Sequence, residues 1–481
     1  MFNYESIHHY HSLLTSGSTT CEQAVIHYLQ QINSKHHLNA FLHVYADEAL
    51  QKARAHDKTR AAKGITGKLH GVIIALKDVI CYKDHPVSAA SKILEGFSSV
   101  YDATVVKKLL EEEAIIIGHT NCDEFAMGST NENSAYGSVL NGMDESRVPG
   151  GSSGGSAVAV QTGMCMVSLG TDTGGSVRQP ADFCGIVGFK PTYGVISRFG
   201  VIAYASSFDQ VGIFARSVED VALVLETIAG GDEFDSTVSN VPAKPFRLFS
   251  DTVTRPRIGY LMEAINNPAL DSEISGTLKE FINTLKKDGH QVKPVSFDLL
   301  EHIVPAYYIL TTAEASSNLA RYDGVRYGYR AQEGSEELED MYSYSRSSGF
   351  GKEVKRRIML GTFVLSAGYY DAYFSKAQQV RRLLVEKINL IFNDFDMILL
   401  PTSPSTAFSL DEKMKDPVAM YAADIFTVFA NLTGLPAISL PLFWHSNGLP
   451  FGLQIMTYRF CELSLLQLSS EWMARYRTSQ F

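Results

Sequence analysis

Cysteine is scarce in this chain. The six cysteines, Cys21, Cys81, Cys122, Cys165, Cys184 and Cys461, form no CxxC pair and no spacing that suits a zinc site or a disulfide framework. A reducing compartment is therefore expected. An excess of positive charge is also lacking: 42 Lys and Arg stand against 52 Asp and Glu, a formal net charge of -10. That balance argues against a surface that tracks nucleic-acid phosphates, so if a nucleic acid is involved a partner is expected to hold it. No stretch reaches the ~18 uninterrupted apolar residues of a membrane span. The opening MFNYESIHHYHSLL lacks the basic and then apolar regions of a secretory signal. We expect a cytoplasmic protein with no membrane partner. Internal repeats and low-complexity segments are missing too, so the 481 residues are expected to form one large unit, 1–481, rather than separate domains.

Hydrophobic residues make up 45% and charged residues 20% of the chain, a balance that buries a large core. Thr19-Thr20-Cys21-Glu22 has the spacing of a capping box, and Val25, Tyr28, Leu29 and Ile32 recur at helical period, which predicts a helix from near Thr20. The first 65 or so residues read as a helical segment integral to the unit. After Gly67 the texture changes. Gly71 to Leu76 and Ala114 to Gly118 are short apolar runs separated by an amphipathic stretch from Thr104 to Glu113, the pattern of a parallel sheet buried on both faces.

A strand over Met164 to Gly170, a capped helix Ser217 to Ala229, a strand Arg257 to Leu261 and a helix Asp271 to Asp288 extend the alternation. A mainly helical stretch from Leu360 to Phe395 leads into a strand at Met397 to Leu400. Asn447-Gly448 then joins two apolar runs as a hairpin. The expected fold is α/β, a large mixed central sheet flanked by helices. Gly230 to Pro256 and Gly328 to Gly351 are the segments that read as linkers.

Two glycine and serine loops, PGGSSGGS at 149–156 and GTDTGGSVR at 170–178, stand out. Neither binds phosphate by a known pattern, because Gly155 is followed by Ser156 and Ala157 rather than Lys-Ser/Thr, and no GxGxxG opens a helix. Gly151 to Gly155 does satisfy the GxSxG nucleophile elbow with Ser153 at its centre. That reading needs a histidine downstream, and only His290, His302 and His445 follow, with nothing around them to mark one out. A serine can instead be activated by a lysine whose ammonium is disfavoured by burial. Lys77 directly follows the run Val72 to Leu76, at the edge where open α/β sheets place their sites. The plainer alternative is a surface lysine paired with Asp78.

Ala75-Leu76-Lys77-Asp78, PGGSSGGSAVAV and GTDTGGSVRQPADFCGIVGFKPTYG, in that order, strongly resemble the amidase signature family. The resemblance implies a Ser-cisSer-Lys triad in which Lys77 is the base, Ser152 the bridging serine and Ser176 the acyl-forming serine. Their spacing is the family's. It also implies an oxyanion hole built by the backbone N–H groups of Thr173, Gly174, Gly175 and Ser176.

NCDEFAMGSTNENSAYG, ISRFGVIAYASSFDQVG, EASSNLARYDGVRYGYR, GFGKEVKRRIMLGTFVLSAGYYDAYF and MYAADIFTVFANLTGLPAISLP resemble one branch of that family, the A subunits of bacterial glutamyl-tRNA(Gln)/aspartyl-tRNA(Asn) amidotransferases. By that resemblance Arg357 and Asp424 bind the α-carboxylate and α-ammonium of free glutamine, with Tyr307 nearby. No cofactor or metal is implied in this chain. ATP and Mg are used by a partner, the B subunit, which amidates misacylated tRNA, with a small C subunit supporting the assembly. The chain departs from the usual pattern at Val79 and Ala423, where the family commonly has Asn.

Overall fold

The computed structural model describes residues 3–239, 255–332, 337–412 and 423–478. Among these residues eleven strands form one mixed sheet: β1 (Phe41–Val44), β2 (Ile73–Lys77), β3 (Ile115–Thr120), β4 (Val167–Thr171), β5 (Val187–Lys190), β6 (Val211–Ala215), β7 (Arg257–Leu261), β8 (Gln291–Val295), β9 (Met397–Pro401), β10 (Ala437–Trp444) and β11 (Pro450–Thr457). Their order across the sheet is β1-β3-β2-β4-β6-β5-β10-β11-β9-β7-β8. β2 runs parallel to both β3 and β4, and β7 to β8 and β9. The remaining neighbours are antiparallel. The expected α/β fold with a mixed sheet is what the chain forms.

The apolar runs make strands because both sheet faces are covered. Every residue of β2, β3 and β4 is buried, which is why these segments read as continuous hydrophobic stretches instead of alternating ones. The helix Thr104–Glu111 crosses between β2 and β3, and Ser217 and Asp271 cap the helices Val218–Ile228 and Ser272–Lys287 as expected. Gly448, at φ +81°, closes the β10–β11 hairpin at Asn447-Gly448.

Three readings are corrected. The helix Cys21–Ser34 is capped by Thr20 with Gln23 as the reciprocal partner, so the capping box sits one residue later than Thr19 and Glu22 suggest. The first 65 residues are not all helical, since Phe41–Val44 adds an antiparallel edge strand on β3. Its four residues are too few to show a periodicity against their helical surroundings. The supposed linker from Gly328 to Gly351 contains the helix Leu338–Gly349. Residues 333–336 of that stretch, and 240–254 of the one from Gly230 to Pro256, lie outside the described residues. Among the described residues no helix is long and apolar enough to cross a membrane.

Candidate active site

β2 and β4 lie side by side and parallel, so their C-terminal ends emerge together at one edge of the sheet. Lys77 is the last residue of β2 and Thr171 the last of β4. The lysine is fully buried. Its Nζ lies 2.7 Å from Ser152 Oγ and 2.9 Å from Thr171 Oγ1. Burial lowers its pKa to about 8, against the opposing pull of Cys122, Asp123, Asp209 and Asp172. A much larger share of the side chain is therefore neutral near physiological pH than for a lysine in water, by roughly 300-fold. The alternative of a surface pair with Asp78 fails on geometry. Asp78 is buried and accepts hydrogen bonds from Ser88 N, Ser88 Oγ and Ala90 N.

Ser152 follows a cis Gly151–Ser152 peptide bond and precedes the helix Gly154–Gln161. Glycine is required beside it for space, because a Cβ on Gly151 would sit 2.2 Å from Asp123 Oδ2 and 2.7 Å from Thr130 N. Ser153 has a different environment. It is fully buried, its Oγ donating to Thr171 O at 3.2 Å and accepting from Thr171 N at 3.3 Å. The three downstream histidines have other neighbours: His445 meets Asp271 and Glu273, His302 meets Glu301, and His290 stands edge-on to Trp472. His445 is half-buried between those two carboxylates. The elbow reading finds no base.

Ser176, 8% exposed, lies on the loop that leaves β4 beyond Thr171. Asp172 organises that loop. Its carboxylate accepts from Gly175 N at 2.9 Å and Val177 N at 3.3 Å, and it forms a buried two-point pair with Arg178 at 2.9 and 3.0 Å. The guanidinium beside it holds the Asp172 carboxyl down at about 2 despite full burial. Arg178 continues to Thr427 O, Asn431 Oδ1 and Gln454 Oε1, so the loop is tied to late segments of the chain. Thr173 Oγ1 is fixed by Asp209 at 2.6 Å.

Gly175, one of the four expected oxyanion donors, has its N–H engaged by Asp172. It is needed for another reason: its φ is +126°, and a Cβ there would sit 2.2 Å from Thr427 Oγ1.

The residues matched to the glutamine pocket share contacts. Arg357 is buried on the helix Lys352–Leu365, donating to Glu353 Oε1 at 2.9 Å and Tyr204 Oη at 2.8 Å, with its guanidinium over the rings of Tyr204 and Tyr308. Asp424 accepts from Ser129 Oγ at 2.8 Å and Tyr308 Oη at 2.7 Å, and burial raises its carboxyl to about 6. Tyr307 is buried edge-on to Phe208 and Tyr308. It abuts the serine loop, since a Cβ on Gly174 would sit 2.3 Å from its hydroxyl. Glu124 accepts from Gly351 N at the start of the Arg357 helix, at 2.8 Å, and so holds that helix against the segment bearing Ser129.

Sequence reasoning passed over Thr171, Asp172, Arg178, Asp209, Ser129 and Tyr308. A signal existed for the Asp172 and Arg178 pair, opposite charges flanking TGGSV in an otherwise uncharged loop. Nothing local marked Tyr308 or Ser129, whose partner Asp424 lies far along the chain. Of the quoted segment 420–441, residues 420–422 are outside the described residues. The departures Val79 and Ala423 are both buried apolar positions.

The family model described as Amidase matches residues 23–466 of this chain. The chain belongs to the amidase family. Among its relatives is the A subunit of glutamyl-tRNA(Gln) amidotransferase from Chlorobaculum tepidum, 51% identical over 460 residues, which is 95% of either chain. The protein of the same name from Chlorobium luteolum is 50% identical over 460 residues, 95% of this chain and 94% of that one.

Two solved amidases show the same fold. The A subunit of glutamyl-tRNA(Gln) amidotransferase from Thermotoga maritima superposes with a TM-score of 0.78 at 39% identity, covering 95% of this amidase and 92% of that chain. The peptide amidase of Stenotrophomonas maltophilia gives a TM-score of 0.82 at 28% identity, covering 99% and 98%.

Proposed function

We propose that this amidase hydrolyses the side-chain carboxamide of glutamine and delivers the ammonia within a tRNA-dependent amidotransferase, as its A subunit. The observation that carries the reading is the joint one of a lysine-serine contact at a sheet edge and half-identical relatives of that name along 95% of the chain. In this reading neutral Lys77 takes a proton from Ser152, Ser152 takes one from Ser176, and Ser176 Oγ attacks the carboxamide carbon. The N–H groups of Thr173, Gly174 and Ser176 receive the oxyanion. Ammonia leaves with a proton returned through Ser152, and water then releases glutamate from the acyl-serine. Arg357 takes the α-carboxylate and Asp424 the α-ammonium, with Tyr307 as the wall between pocket and loop.

The whole of 1–481 works as one amidase domain, a reading supported by the pairing of Phe41–Val44 with β3. This chain needs no cofactor. ATP and Mg belong to a partner, the B subunit, which amidates Glu-tRNA(Gln), Asp-tRNA(Asn) or both and carries most of the tRNA contact, while a small C subunit supports the assembly in the cytoplasm. The net charge of -10 suits a chain that leaves the tRNA to its partner.

Coupling is expected, because ammonia released without an acceptor is lost. Ammonia release should be lowest for the isolated chain, higher for the assembled subunits, and highest with misacylated tRNA and ATP. Equal turnover in all three would favour a self-sufficient amidase instead.

Gly174→Ala should lower kcat/KM for glutamine about 100-fold, the scale of one lost oxyanion donor, because the new Cβ pushes against Tyr307. The control is Gly276→Ala in the helix Ser272–Lys287, where a Cβ meets nothing within 4 Å. Thermal melts of both variants separate lost activity from lost fold, and full activity in Gly174→Ala would remove this glycine from the site.

A further inference from the structure

A cavity of about 310 Å³ is lined by Tyr193, Arg381, Val385, Leu432, Arg459 and Phe460, together with Thr192, Thr433 and Gly434. None of the residues assigned above to catalysis or to glutamine is among them. The helix Val428–Thr433 ends here at Gly434, and both arginines donate to its last carbonyls. Arg381 Nε reaches Leu432 O at 3.0 Å, while Arg459 Nε and Nη2 reach Thr433 O at 3.1 and 2.6 Å. The other bonds of Arg381 go to Ser207 Oγ and Ser207 O, at 3.2 and 3.1 Å.

Helix capping alone does not use up this charge. A helix C-terminus carries about half a negative charge, and two guanidinium groups face it. The acid that acts on Arg381 is Glu314, whose carboxylate is held by Ser207 N and Oγ rather than by the arginine. Next along the wall, Glu462 accepts from Thr192 N at 2.9 Å and acts on the buried Lys190. The two guanidiniums also repel each other. Each retains N–H donors beyond those engaged with carbonyl and hydroxyl oxygens. Apart from Thr192 and Thr433 the rest of the wall is apolar, from Val385, Leu432 and the Tyr193 ring, and Phe460 is 49% exposed.

We propose that this cavity is a binding site for a phosphate monoester, its phosphoryl oxygens held between Arg381 and Arg459 and its organic part against Val385, Leu432 and Tyr193. Phosphate fits the pair better than carboxylate does, because three terminal oxygens and a charge near -2 can engage two guanidinium forks at once.

The test is calorimetric titration of the full chain with phenyl phosphate, inorganic phosphate and phenol, with a short single-stranded RNA to separate a free monoester from a backbone phosphodiester. Phenyl phosphate should bind one to one, inorganic phosphate should bind more weakly, and phenol and the RNA should give no saturable heat. Arg459→Gln should weaken phenyl phosphate by at least about tenfold. Val385→Trp, which fills the cavity while leaving both arginines in the chain, should do the same. Both variants should keep ammonia release from glutamine, which reports the fold. Absence of phenyl phosphate binding at millimolar concentration, equal binding of phenol, or preference for the RNA would overturn the proposal. So would unchanged affinity in Val385→Trp, whatever Arg459→Gln does.

Discussion

Ser176→Ala is expected to lower glutamine hydrolysis by on the order of 10^4 to 10^6, the scale on which removal of a nucleophile acts in serine hydrolases. Glutamine should still bind with near-normal affinity, because Arg357, Asp424 and Tyr307 belong to other segments and the Asp172 anchor of the loop does not use the Ser176 side chain. The melting temperature should shift little. Mass spectrometry of the native chain quenched during turnover should find a glutamyl adduct on the peptide carrying Ser176. An adduct on Ser153 would instead revive the GxSxG reading, against a hydroxyl that both donates to and accepts from the Thr171 backbone.

Lys77→Arg should cost on the order of 10^3-fold in kcat, nearly as much as Lys77→Met. A guanidinium stays charged and cannot take a proton from Ser152. In the native chain activity should rise with pH toward about 8 and then level, because only the neutral amine accepts a proton and burial lowers its pKa to about 8. Substantial activity in the arginine variant would show that positive charge, not proton transfer, is what the position supplies.

The same burial has a thermodynamic signature. An unfolded lysine holds its proton up to about 10.4, so below pH 8 the native state bears the cost of a buried ammonium, on the order of 3 kcal/mol. As pH rises from about 8 to 10.4 the unfolded state binds more protons than the folded one, and this penalty is relieved. The stability gap between native chain and Lys77→Met should therefore move in favour of the native chain across that window. A gap independent of pH in urea melts would contradict a depressed lysine. The offset between the two includes the contacts to Ser152 and Thr171 that methionine gives up, each worth about 1 kcal/mol.

Much of this was legible in the amino-acid sequence. The strands at Ile73, Ile115, Val167, Met397 and the closing hairpin show as apolar runs because burial on both faces removes the need for polar alternation. The Lys77 position follows from the same run, since a residue after a buried strand must emerge at its edge. Phe41–Val44 escaped because an edge strand of four residues carries little pattern of its own, and Leu338–Gly349 because its exposed, polar surface resembles a linker.

The site residues that were missed share a different property. Thr171 meets Lys77 only once two strands align, and Ser129 and Tyr308 meet Asp424 only across the assembled fold. Gly175 illustrates the limit in reverse. Its place in the motif suggests a donor to substrate, yet its N–H is engaged inside the loop by a carboxylate three residues earlier.

The buried pair of Asp172 and Arg178 also sets an order of events during synthesis. The serine motifs leave the ribosome with the first half of the chain, but the guanidinium that steadies their loop is itself held by Thr427, Asn431 and Gln454. Until those residues have emerged, the cation lacks the acceptors that justify its burial, and the loop has no reason to adopt its working shape. A polypeptide truncated before Gln454 should thus contain Lys77, Ser152 and Ser176 and still release little ammonia from glutamine.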